Sequence, residues 1–168
     1  DMQHLLDAFL DFARGDAEGD AEPTDAIALA RLILSDAERM GQAVHAGVMS
    51  GDGEIYVRPM ALRRALDNLI GNALKYGRSK SGDNFIEVGC VDRSDKLLFY
   101  VADNGPGIEP KYHDRVFELF ERLDVDVEVT GTGLAIVKRV ADLNGGEVWI
   151  ESHGENGSTF FVLLPKNL

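Results

Sequence analysis

The feature that most constrains the fold of this chain is a turn rich in glycine that follows a short apolar run. Residues 97–101 have the composition of a β-strand, and Asp103-Asn-Gly-Pro-Gly-Ile108 follows almost directly. Gly105 and Gly107, with the proline between them, predict special backbone angles that let the main chain approach a ligand closely. A carboxylate held where the strand ends suits recognition of a hydrogen-bond donor such as an exocyclic amine. Alone, the motif is also consistent with a simple tight turn.

Composition narrows the class of protein. A chain of 168 residues, 45% of them hydrophobic, is expected to form one ordinary domain with a substantial core. A formal net charge of −12 argues against partners such as nucleic acid or an anionic membrane surface. The single cysteine, Cys90, excludes an internal disulfide and fits a reducing compartment, so we expect a cytoplasmic location. The absence of an initiator methionine suggests a piece of a longer protein.

The N-terminal residues predict a separate unit. In residues 1–14, apolar side chains recur at steps of three, four and three, which is typical of a coiled-coil seam. Such a helix either docks on its own domain or is the end of a dimerising helix. We favour the second interpretation because residues 15–23 are acidic, bear glycine and proline, and read as a linker. The main domain is then predicted over residues 24–168.

A helix predicted over residues 59–76 carries an unusual polar stripe. Steps of four and three place Arg64, Asn68, Asn72 and Lys75 on one side of this helix. Asparagines are poor helix formers, so their presence there calls for a reason. An amide oxygen can ligate a hard cation such as Mg²⁺, and the lysine can meet phosphate. The alternative is an ordinary solvent-exposed face.

A second helix, predicted to run from Leu134 to Leu143, begins after Gly131-Thr132-Gly133 and closes at Gly145-Gly146. Free amides and the positive end of the helix dipole make its start a generic anion site, although many helices begin after glycine. Together, a polar-striped helix, an acidic turn and a glycine-led helix predict one nucleotide pocket.

The remaining elements complete the predicted fold. A further helix is expected from the cap at Thr24-Asp25 to Met40, and a short helical stretch over residues 111–122. Three hairpins are expected: residues 43–49 with 54–57, residues 86–91 with 97–101, and residues 147–152 with 159–164. The predicted class is α+β, a two-layer α/β sandwich with a mixed, mainly antiparallel sheet and helices on one face.

These motifs resemble the catalytic and ATP-binding domain of bacterial sensor histidine kinases, within the GHKL superfamily that has the Bergerat fold. Residues 65–76 resemble the family's N box, 103–108 its first glycine box, 116–122 its F box, 131–137 its second glycine box and 157–160 its closing glycine-threonine motif. Residues 2–14 are similar to the end of the second helix of a dimerisation and phosphotransfer domain. The resemblance implies the Bergerat sandwich and the binding of ATP with Mg²⁺.

The resemblance also implies residue roles at the base. Asp103 would accept a hydrogen bond from the adenine amine, with Gly105 and Gly107 shaping the turn beside it. Tyr76 and Ile108 would wall the base, and Thr159 would assist near Asp103.

At the phosphates, the resemblance implies that Asn72 ligates Mg²⁺ with Asn68 beside it, and that Lys75 contacts phosphate. Arg122 would reach the terminal phosphate. The backbone amides of the glycine-led helix start would cradle the phosphates (Gly131, Thr132, Gly133 and Leu134).

The implied reaction is phosphoryl transfer to a histidine on a domain absent from this chain. Hydrolytic members of the superfamily carry a glutamate at the position of Asn68, and an amide is no base. The chain holds no His-Glu/Asp-Leu-Arg motif, and its four histidines are predicted to be structural or exposed. The implied partners are a phosphoacceptor histidine domain, a downstream response regulator and a second copy in a full-length homodimer. The resemblance implies a cytoplasmic location for this domain, in a parent protein that could be an inner-membrane sensor.

Two alternatives remain open from the sequence. Val129 stands where the family usually has glycine, and the short loop after Arg122 is acidic, which favours a degenerate, non-catalytic interaction module. The other alternative is a GHKL-type ATPase, which Asn68 argues against.

Overall fold

A computed structural model describes residues 19–39, 45–48, 53–76, 85–118, 133–152 and 157–166, together with residues 3, 6, 7 and 10. For residues 45–48 and Tyr76 it describes the backbone alone. The loop after Glu118, including Gly131 and Thr132, lies outside these ranges, and the predicted N-terminal helix is described only at isolated positions.

Three helices and seven strands form the described chain. The helices are α1 (Ala26–Arg39), α2 (Pro59–Tyr76) and α3 (Gly133–Leu143). The strands are β1 (Glu22–Asp25), β2 (His45–Val48), β3 (Glu54–Val57), β4 (Phe85–Arg93), β5 (Lys96–Asp103), β6 (Glu147–Ser152) and β7 (Ser158–Pro165). Two single 3₁₀ turns, Pro110–Tyr112 and Arg115–Phe117, occupy part of the stretch predicted to be helical.

Five strands make the main sheet in the order β2-β4-β5-β7-β6. Strand β2 is parallel to β4, and the other pairs are antiparallel. The hairpins β4–β5 and β6–β7 are confirmed. The mixed, mainly antiparallel sheet and the α+β class are also confirmed.

The first predicted hairpin is wrong. Strand β2 joins the main sheet beside β4, whereas β3 pairs antiparallel with β1 in a separate two-stranded sheet. A turn signal in a sequence does not identify the strand with which each flanking segment pairs, because pairing depends on the tertiary context. Ile55 and Val57 of β3 are almost completely buried in the main core.

The sheet is covered by the helices on one face. Alternate residues of β5 point to that face, where Leu97, Phe99 and Val101 lie buried in the core. Cys90 is buried in the same core, as expected of a small apolar residue. On the opposite face, the ring of Trp149 stacks on Phe161 with centroids 5.2 Å apart.

Helix α1 begins where the sequence predicted. The Asp25 carboxylate accepts hydrogen bonds from the backbone N–H groups of Ile27 (3.0 Å) and Ala28 (3.1 Å), which is an N-cap. Asp25 is also the last residue of β1, so Glu22 and Pro23, the end of the predicted linker, belong to a strand. Proline is tolerated there because β1 lies at the edge of its sheet.

Helix α3 ends in the predicted glycine cap. Gly146 N–H donates to the Ala141 carbonyl (2.7 Å) and Gly145 N–H to the Asp142 carbonyl (3.2 Å), which is a Schellman motif. Gly145 adopts a φ of 72°, a conformation that glycine reaches without steric cost. Among the described residues, no helix combines the length and apolar character needed to cross a bilayer.

Two glycine substitutions should have opposite effects on stability. Gly145→Ala should lower the free energy of unfolding by about 1 kcal/mol, because its positive φ strains any residue with a Cβ. Gly71→Ala, inside α2 with no heavy atom within 4 Å of the added methyl, should raise it by about 0.5–1 kcal/mol. Urea unfolding measures both; effects of equal sign would contradict the helix-end assignment.

Candidate functional site

Asp103 lies half-buried at the last position of β5, where the chain leaves the sheet. Its side chain points to the same face as Val101 and Phe99, the face covered by the helices. Its Oδ1 accepts hydrogen bonds from the backbone N–H groups of Gly105 (3.0 Å) and Ser158 (3.3 Å). The carboxylate is therefore held in one orientation. Its second oxygen receives no hydrogen bond from the part of the chain that the structure describes, and it can accept one from a further donor.

Burial is the main influence on the ionisation of Asp103. Removal from water raises the pKa of this carboxyl above its ordinary value, while the two backbone N–H donors act in the opposite direction. A half-buried carboxylate in this position gains from accepting a hydrogen bond from a ligand, because the ligand replaces the water that burial removed.

The turn after Asp103 has the unusual backbone that the sequence predicted. Gly107 adopts a φ of 78°, and Gly105 is buried. Ile108 is half-buried and packs against the core. Gly157, at a φ of 91°, approaches so closely that a Cβ there would lie 2.0 Å from the Asp103 carbonyl oxygen. Only glycine fits between Asp103 and β7 at this point.

Ser158, rather than Thr159, lies opposite Asp103. The register pairs Asp103 with Ser158 and Ala102 with Thr159, so Thr159 points to the other face of the sheet. The prediction that Thr159 assists near Asp103 is corrected accordingly. Ser158 is only 5% exposed and is the one buried polar residue among those the structure describes. The sequence alone does not identify Ser158. Once the register of β5 with β7 is known, the residue opposite Asp103 can be read from it directly.

The polar stripe on α2 lies beside the start of α3. Asn68 and Asn72 are half-buried, and Lys75 is exposed. The Asn68 side-chain amide donates to the Arg64 carbonyl (2.7 Å). A Cβ on Gly133 would lie 2.9 Å from Asn68 Oδ1, so the first residue of α3 touches this stripe closely.

Small residues bring the two helices together. Ala61 and Ala65 of α2 pack against Ile136 and Val140 of α3 in a cluster of their own. Leu134 is half-buried and packs against the main core. The contact between α2 and α3 therefore unites two of the features that the sequence predicted to form one pocket.

Some predicted site residues are not described. Arg122, Gly131 and Thr132 lie outside the described residues, as do Val129 and the acidic loop. Of Tyr76 only the backbone at the end of α2 is described. Their roles stay predictions.

The chain is similar to a known family and to several curated proteins. The family model described as "Histidine kinase-, DNA gyrase B-, and HSP90-like ATPase" matches residues 57–168. The methanogenesis regulatory histidine kinase FilI of Methanothrix harundinacea is 33% identical over 98% of this chain and 19% of its own length. The sensor histidine kinase CpxA of Escherichia coli is 35% identical over 77% of this chain and 28% of its own length. The chain thus spans well under a third of these curated relatives.

Solved structures show the same fold. The mycobacterial sensor histidine kinase MprB matches with a TM-score of 0.78 and 25% identity, over 88% of this chain and 98% of that one. Full-length ShkA in complex with AMPPNP matches with a TM-score of 0.82 and 26% identity, over 98% of this chain and 35% of that one.

The raised pKa of Asp103 predicts a pH-dependent stability. The folded chain holds the proton more strongly than the unfolded one, whose pKa is about 3.9, so ionised Asp103 destabilises the fold at neutral pH. Asp103→Asn keeps an oxygen for Gly105 and Ser158 but removes the charge. We expect the variant to be more stable than the wild type near neutral pH, with a difference that vanishes as the pH falls below about 4.

Urea unfolding at several pH values measures this difference. The exposed Asp114→Asn variant controls for removing one negative charge from an acidic chain. A destabilised Asp103→Asn variant whose deficit grows with pH would contradict the assignment.

Proposed function

Since this chain belongs to the family of histidine kinase-, DNA gyrase B- and HSP90-like ATPases and is the ATP-binding catalytic domain of a sensor histidine kinase, we propose that it donates the γ-phosphoryl group of ATP to a histidine on a domain outside this sequence. The observation that carries the proposal is the geometry of Asp103. Its oriented, half-buried carboxylate has an oxygen available for the 6-amino group of adenine. Guanine carries a carbonyl oxygen at the same position. That oxygen has no hydrogen to donate to a carboxylate, so the site favours adenine.

The phosphates would extend from the base toward the contact between α2 and α3. Lys75 supplies a cation at the end of α2, and the N-terminus of α3 supplies backbone amides that have no partner within the helix itself. We assign Arg122, Gly131 and Thr132 to the same phosphate site on the strength of the motifs they occupy. Tyr76 and Ile108 would wall the base.

The residues present fit a magnesium ion bound mainly through the nucleotide. No group of three acidic, histidine or cysteine side chains suited to a metal occurs among the described residues. Mg²⁺ is commonly held by one or two protein oxygens plus phosphates and waters, and the half-buried amide of Asn72 can supply one such oxygen. When bound, the ion neutralises charge on the phosphates.

This chain's own residues act by positioning. Phosphoryl transfer needs alignment and charge neutralisation above all, and both are provided by Lys75, the amides of α3 and the base site. Asn68 is an amide already donating to the Arg64 carbonyl, so it does not activate water as a carboxylate would. ATP held here is therefore kept for an imidazole nucleophile from another domain.

The partners follow from this role. We propose a phosphoacceptor histidine domain in the same or a partner polypeptide, a homodimeric parent protein and a downstream response regulator. Because the CpxA sensor is a relative, the parent is proposed to be a sensor whose kinase portion works in the cytoplasm.

Titration with Mg-ATP tests the base and phosphate sites separately. Asp103→Ala should abolish measurable binding of both ATP and adenosine. Lys75→Ala should weaken ATP binding by roughly tenfold, about 1.4 kcal/mol, and leave adenosine binding unchanged. Lys96, at the far end of β5, is also exposed, so Lys96→Ala is the matched control and should change neither affinity. No heat of binding from the wild type, or equal effects of the two lysines, would refute the assignment.

The transferase role predicts little hydrolysis. The chain alone should release inorganic phosphate from ATP slowly, whereas adding a purified phosphoacceptor domain from the parent protein should give a phosphohistidine that is acid-labile. Sustained ATP turnover by the chain alone would instead favour a hydrolytic ATPase.

A further inference from the structure

The peptide groups of Ile108 are held by two side chains from different parts of the chain. The Ile108 N–H donates to Ser152 Oγ (2.8 Å), at the last residue of β6. The Ile108 carbonyl oxygen lies 2.9 Å from His113 Nε2, just after the first 3₁₀ turn. Ile108 lies between the end of β5 and the first 3₁₀ turn, outside any strand or helix.

We propose that His113 and Ser152 are positioning residues for the nucleotide base, which act by fixing the main chain of Ile108. The inference rests on the proposed function, in which Ile108 walls the adenine pocket. Neither residue needs to touch the nucleotide.

Ser152 connects the wall of the pocket to its acidic end. A hydroxyl has one donor, and Ser152 Oγ donates it to the Gly157 carbonyl (3.0 Å) while accepting from Ile108. Gly157 packs against the Asp103 carbonyl, and the next residue, Ser158, donates its N–H to the Asp103 carboxylate. One hydroxyl therefore ties together the two sides of the base site.

The turn needs such support because its own backbone is irregular. Gly107 has a positive φ, and sheet pairing ends at Asp103. Half-buried backbone groups that lack a partner lose the hydrogen bonds that water gave them, and a mobile Ile108 would leave the pocket without a defined wall. The side chains of Ser152 and His113 provide the hydrogen bonds to the Ile108 backbone that sheet pairing would otherwise provide.

The contact with the Ile108 carbonyl oxygen requires His113 to act as the hydrogen-bond donor. To donate to the Ile108 carbonyl, Nε2 must carry a hydrogen, which both the neutral tautomer with that hydrogen and the imidazolium provide. The 3₁₀ turn sets its place, since His113 N–H donates to the Pro110 carbonyl (3.2 Å).

Four variants test the proposal. Ser152→Ala should weaken ATP binding about five- to tenfold and His113→Ala about three- to fivefold, because each removes one hydrogen bond that holds the wall. Ser152→Thr and His113→Gln, which keep a hydroxyl and an N–H donor, should restore affinity to within about twofold of the wild type. The exposed neighbours Glu151→Ala and Asp114→Ala are controls that should bind as the wild type does.

Two further readouts separate positioning from general destabilisation. Each alanine variant should lose affinity for adenosine by the same factor as for ATP. Its affinity for inorganic triphosphate should equal that of the wild type. The amide hydrogen of Ile108, followed by NMR, should exchange faster in Ser152→Ala than in the wild type and regain its protection in Ser152→Thr.

The outcomes distinguish this inference from the function on which it rests. If the wild type binds ATP and Asp103→Ala does not, but both alanine variants bind ATP normally, the positioning role is overturned and the function stands. Equal losses for ATP and inorganic triphosphate, in step with a loss of unfolding free energy, would also overturn it. Failure of the wild type to bind ATP would overturn both.

Discussion

The central interaction of the candidate site is the pair of backbone hydrogen bonds that holds the Asp103 carboxylate at the end of β5. Asp103 is charged in water, and burial beside the core disfavours that charge. Two backbone N–H groups compensate in part, one from the turn at Gly105 and one from Ser158 on the neighbouring strand. The close approach of that strand is possible only because Gly157 has no side chain. A residue that costs stability and is nevertheless supported by its surroundings is typical of a functional site.

The rest of the fold brings the polar stripe of α2 and the start of α3 together, the surface proposed to hold the phosphates. The helix-facing side of the sheet presents an apolar surface that helices must cover, and α2 and α3 cover it side by side. Alanines at their contact allow α3 to begin against Asn68. Helix α2 therefore has two different sides. Its apolar residues pack in the main core, while Asn68 of its polar stripe lies against the first residue of α3.

The predictions that were confirmed depend on interactions between residues close in sequence. The N-cap at Asp25 and the Schellman motif at Gly145 involve partners a few residues apart, and the strands of the β4–β5 hairpin are joined by a tight turn between Arg93 and Lys96. These features can therefore be predicted from the local sequence. The predictions that failed depended on distant partners. The segment between β2 and β3 has the sequence of a hairpin turn, yet β2 pairs with β4 and β3 pairs with β1. The predicted partner of Asp103 on β7 was wrong by one residue. Side chains alternate between the two faces of a strand, and the register of β7 with β5 places Ser158, and not Thr159, opposite Asp103.

The sequence by itself determined the family, the α+β class and the helices α1, α2 and α3, because each follows from short motifs whose spacing expresses local backbone geometry. The same motifs predict Asp103 as the acid that would contact the base. Only the tertiary structure decided that Ser158 faces Asp103, that Asn68 meets the first residue of α3, and that His113 and Ser152 hold Ile108 from two sides. These contacts join residues up to 65 positions apart in the case of Asn68 and Gly133. These contacts form only after the strands have paired and the helices have packed on the sheet. Both processes depend on packing throughout the core, so no single segment of the sequence determines them.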